Sequence, residues 1–126
     1  MTTMLRTEGT TTVSGADTLR MLMNDALSVA SDDDADQYSS GTVAGRTLLA
    51  MAAVARQAAR VLGEDPGTPL TAGSGVVVER ELAAAVRLLN RAGDPRDDGS
   101  VYLDGLLAMA KGLHAQLHEA VAHSAS

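Results

Sequence analysis

Residues 42–62 read TVAGRTLLAMAAVARQAARVL, and this stretch decides the fold. Val43, Ala44, Thr47, Leu48, Met51, Val54, Ala55, Ala58, Val61 and Leu62 recur at helical spacing. At the helical repeat they cover an arc of roughly 160°. Arg46, Arg56, Gln57 and Arg60 fall together on the opposite side, with Leu49 projecting among the arginines. So wide an apolar arc, rich in alanine, predicts a central helix packed closely by two neighbours. Gly63 is its stop residue.

Three further helices are predicted around it. Upstream, Ser14-Gly15-Ala16-Asp17 has the S-x-x-D spacing that satisfies orphan N–H groups at a helix start. Leu19, Leu22, Met23, Ala26, Val29 and Ala30 follow at helical spacing. This helix should fail near Ser31, where four aspartates meet the negative end of its dipole. Downstream, Val78, Leu82, Ala85, Val86, Leu89 and Ala92 line one face of a third helix, and Arg80, Arg87 and Arg91 the other. Its start, Gly75-Val76-Val77-Val78, also fits a short strand. In the fourth, capped by Ser100, Leu103, Leu106, Ala110, Leu113, Leu117 and Ala120 form an a/d seam, right for a bundle edge.

The expected fold is therefore all-α, a four-helix bundle with helices near 14–31, 42–62, 76–92 and 100–122. Residues 14–122 form a single domain. Residues 1–13, rich in threonine, are expected to be a disordered arm, and 123–126 a frayed tail. The linker over 63–75 carries Pro66, Pro69 and four glycines, and is longer than most bundle connections.

Composition narrows the function. The net charge is −6, with 16 acidic and 10 basic residues. That argues against nucleic-acid binding, which needs a basic footprint. Phe and Trp are absent and Tyr38 and Tyr102 are the only aromatics, so base-stacking platforms are missing too. The chain has no cysteine, which removes thiol and zinc-thiolate chemistry. No apolar run is long enough to span a bilayer, and residues 1–15 lack the apolar core of a secretory signal, so membrane association is not expected and a cytoplasmic location is.

Three groupings could carry chemistry. His114 and His118 sit four apart on one face of the fourth helix, a spacing that can hold one metal ion. Glu81, at the rim of the third helix's apolar face, is the expected further ligand, and Met51 and Met109 the adaptable lining of a ligand pocket. Arg46, Arg56 and Arg60 form a row of guanidinium groups suited to an anion. Asp32-Asp33-Asp34-Ala35-Asp36 has carboxylates at the spacing of a cation loop, yet an EF-hand would need Gly at Gln37 and Glu at Val43. Its expected role is to end the first helix in a solvated loop. Gly41-x-x-x-Gly45 is not a phosphate loop, since no Lys-Ser or Lys-Thr follows.

No nucleophile motif is present, no cofactor is expected, and the leading expectation is non-enzymatic. It is a small interaction or assembly module, self-associating as a homodimer, with another protein as an alternative partner. A core without Phe or Trp gains less from burial than most of its length, and oligomers recover such a deficit. Leu49, Leu107 and Met109 are the spare apolar residues. The alternative is a small-molecule- or metal-binding bundle, with or without catalysis, built on the His114/His118 face.

Overall fold

The computed structural model describes residues 15–31, 38–70, 72–92 and 100–125. Among them are four helices and no strand: α1 Gly15–Ala30, α2 Val43–Val61, α3 Gly75–Arg91 and α4 Ser100–Ala125. The chain is an all-α four-helix bundle. Residues 1–14, the aspartate run over 32–36 and residues 93–99 lie outside the described residues, and with them the expected Ser14 cap and N-terminal arm.

Local chemistry explains the boundaries of α2. Thr42 has extended backbone, and its Oγ1 accepts from the Gly45 N–H while donating to the Ser39 carbonyl. The chain entering α2 thus folds back over the helix's first turn. A Cβ at Gly45 would come within 1.7 Å of the Ser39 carbonyl oxygen, so only glycine fits. At the other end the Gly63 N–H donates to the Arg60 carbonyl and the Glu64 N–H to the Ala59 carbonyl. With Gly63 at φ +99°, this is a Schellman stop.

α3 begins where a strand was the alternative. Ser74 caps it, its side chain accepting from the Val77 N–H. Burial of Val78 against the core then outweighs the β preference of three consecutive valines. At its far end, Arg20 from α1 donates to the Leu89 and Ala92 carbonyls, satisfying groups the helix leaves unpaired. The linker before α3 is anchored to the α1–α2 connection. The Ser40 N–H donates to the Gly73 carbonyl, and the Gly73 N–H to Ser40 Oγ. α4 runs to Ala125, past the expected end at 122.

α2 packs most extensively on α3 and α4, and α1 on α4 and α3. The four helices therefore form a square in which α3 and α4 occupy opposite corners. Leu19 and Met23 of α1, Leu48 and Met51 of α2, Val78, Leu82 and Leu89 of α3 and Leu117 of α4 are fully enclosed at its centre. Alanines fill the rest of α2's contact surface: Ala44, Ala52, Ala55, Ala58 and Ala59 are all buried.

One flank of α2 differs from the expected arrangement. Leu49 and Arg56, seven residues apart, share a flank that α3 covers, so Leu49 is buried and Arg56 is drawn inward. Leu49 is therefore not spare surface. Arg56 Nε lies 2.7 Å from Glu81 Oε2, and Arg56 Nη2 3.0 Å from Glu81 Oε1. Arg56 Nη1 donates to the Pro66 carbonyl as well. A bidentate pair thus ties α2, α3 and the linker together, with the Glu81 side chain 3% exposed.

Removing one member of a buried pair strands the other charge, which costs about 3–5 kcal/mol. Glu81→Ala should lower unfolding stability in urea by about that much. Glu81→Leu combined with Arg56→Met should recover most of the loss. A change within about 0.5 kcal/mol for Glu81→Ala, as for an ordinary surface substitution, would contradict the buried pair.

Candidate functional site

α4 is the helix on which the candidate chemistry concentrates. Leu103, Ala110 and Leu117, at seven-residue intervals, form the stripe it buries against the core. On either side lie two unlike flanks. One faces α1 and carries the histidines. The other faces α2 and is apolar.

On the first flank, His114 and His118 project one turn apart and meet Asp25, which α1 contributes from the turn between half-buried Leu22 and Val29. His114 Nε2 is 2.6 Å from Asp25 Oδ2, and His118 Nε2 is 2.9 Å from the same oxygen. The two Nε2 atoms are 3.2 Å apart. The rings meet edge to face, 4.5 Å between centroids. His114 is the most enclosed of the three, with its side chain 25% exposed against 51% for His118 and 48% for Asp25. Hydrogen bonds from His118 and then His114 hold the Asp25 carboxyl below the usual carboxylate range, outweighing a small opposing effect of burial.

On the second flank an open trough of about 580 Å³ runs between α2 and α4. Ala53 and Val54 form one wall, and Leu106, Met109, Gly112 and Leu113 the other. A shallower hollow of about 350 Å³ extends it past Gly105 to Tyr102 and Val61. No charged side chain lines either part; Gln57 and Gln116 are the polar residues at the rim.

The expected site residues fall into different places. His114 and His118 come together, but Glu81 does not join them: it faces α2, bound to Arg56, because α3 and α4 sit at opposite corners. The carboxylate of that cluster is Asp25 instead. Met51 is fully buried in the core, whereas Met109 is exposed in the trough. The arginine row is broken. With Arg56 withdrawn, exposed Arg46 and Arg60 are separated by about 21 Å along the helix and do not converge on one anion. Asp25 was readable as the one acidic residue in the middle of α1, but spacing within a chain does not say which helix becomes the neighbour.

Comparison of the chain with protein-family models, with curated proteins and with solved structures gives no match in any of the three.

Because the Asp25 carboxyl is lowered, its contribution to stability is present above the ordinary carboxylate value and is lost as pH falls through the lowered one. Asp25→Asn should therefore be less stable than the parent near neutral pH, and the gap should close in strong acid. Urea unfolding across the acidic range measures it. A gap that stays constant down to the lowest pH would contradict the His–Asp contact.

Proposed function

We propose that this chain is a non-enzymatic assembly module that works by self-association, with α4 at the interface of a two-fold dimer. The observation that carries the reading is the uncharged trough and its extension along α4. A helix that is apolar nearly all round belongs in an interior. α4 has 26 residues and, besides histidines, only Asp104, Lys111 and Glu119 as charged groups. Yet Tyr102 is 67% exposed and Met109 56%. Burying each of these side chains would contribute about 2 kcal/mol.

A second copy is the occupant that suits this surface. The same face carries large side chains, Tyr102, Met109 and Leu113, and gaps at Gly105 and Gly112, where a Cβ would meet nothing within 4 Å. Knobs and holes on one patch are what an isologous contact requires. Neither glycine is demanded by packing inside the chain, and each costs about 1 kcal/mol of helix stability relative to alanine. Close approach of another helix gives them a use. From Tyr102 to Gln116 the α4 strip is about 21 Å long, which suits helix-on-helix contact over about four turns.

Size exclusion with light scattering should give about twice the 12.9 kDa chain mass at micromolar concentration. Met109→Asp places a charge in the trough without touching the core and should give a folded monomer, with its helicity intact by circular dichroism. A parent chain that stays monomeric at high concentration would overturn the reading, as would a dimer indifferent to Met109→Asp.

A further inference from the structure

On the flank of α4 away from the trough, we propose that Asp25, His114 and His118 form a binding site for a divalent transition-metal ion of the zinc, cobalt and nickel class. The inference is independent of self-association. It rests on convergence: three ligand atoms from two helices all lie within 4.8 Å of one another. Zinc takes imidazole nitrogen and carboxylate oxygen at about 2.0–2.2 Å. Tetrahedral geometry at those bond lengths separates ligands by about 3.3 Å. The separations here, 2.6, 2.9 and 3.2 Å, are all shorter than that value. Small outward rotations would open the triangle to it. Asp25 and His118, each about half exposed, have room to make them.

The donor set also selects the ion. Two imidazoles and one carboxylate suit borderline cations, whereas calcium and magnesium prefer all-oxygen shells. With three protein ligands on a solvent-facing rim, the remaining coordination position falls to water. Each Nε2 ligates only when its proton is absent, so both rings must be neutral with the proton on Nδ1.

The consequence for the fold is a clip between α1 and α4. α1 holds α4 along one flank only, and the cluster lies on that contact. An ion there ties the helix bearing the apolar strip to its neighbour α1, and stabilises the folded chain as its occupancy rises.

The test is thermal unfolding of metal-stripped protein titrated with zinc chloride, followed by cobalt(II) absorption. Zinc should raise the melting temperature, and calcium or magnesium at the same concentration should not. Asp25→Asn and His118→Ala should each lose the zinc-dependent rise while still melting cooperatively without metal. Cobalt should give the visible bands of a low-coordinate nitrogen–oxygen site in the parent and in neither variant. Absence of any shift with zinc, cobalt and nickel would overturn the proposal. So would a zinc-dependent rise that survives in both variants.

Discussion

Everything in this bundle follows from how α2 is enclosed. Alanine is the commonest residue on its buried surface, with Gly45 at the start and Leu48, Leu49, Met51 and Val54 as its larger contributors. Small side chains let helix axes approach at the short end of the usual 8–10 Å. α2 therefore packs on both α3 and α4 and still reaches α1 across the diagonal. The chain has no Phe or Trp with which to fill a wider interior. A narrow core needs little surface from each helix, and α4 supplies the least: one stripe of three residues at seven-residue spacing. The apolar surface left over on α4 is the direct result.

Charge is handled in the same economical way. Among the described residues Glu81 is the only buried charged side chain, and it meets its partner in fork geometry. That pair fixes the rotation of α2 against α3 and draws the linker onto both through Pro66. Fixing α3 on one side of α2 leaves the other side to α4. The trough and the His–Asp cluster then lie on opposite flanks of one helix, so an ion in the cluster and a second copy in the trough would not compete for space.

The legibility of these features in the sequence varied with how local they are. The apolar residues of the α3 face were readable: Val78, Leu82, Ala85, Val86, Leu89 and Ala92 are all buried. Single-helix periodicity suffices when one face is apolar and the other basic. It failed on α2, where three neighbours enclose the helix and the flank holding Leu49 and Arg56 turned inward. Arginine reads as solvent-facing unless its partner is known, and Glu81 is 25 residues away. The site was legible by half for the same reason. His114 and His118 share a helix, so spacing paired them. Asp25 is 89 residues from His114, and its role depends on α1 being α4's neighbour. In the fourth helix the a/d seam was correct as a pattern, but only Leu103, Ala110 and Leu117 became core, while Leu106 and Leu113 became the wall of the trough.

The claim that the surplus face of α4 is an interface is tested most directly by the distance between two copies of that helix. The chain has no cysteine, so Ala115→Cys, exposed and off the trough, offers a unique position for a spin label. Two α4 helices packed side by side lie about 8–10 Å apart axis to axis. Pulsed electron–electron resonance on the labelled protein should therefore show one short, narrow distance between copies. A signal without any dipolar modulation, or with a broad featureless distribution, would contradict the account.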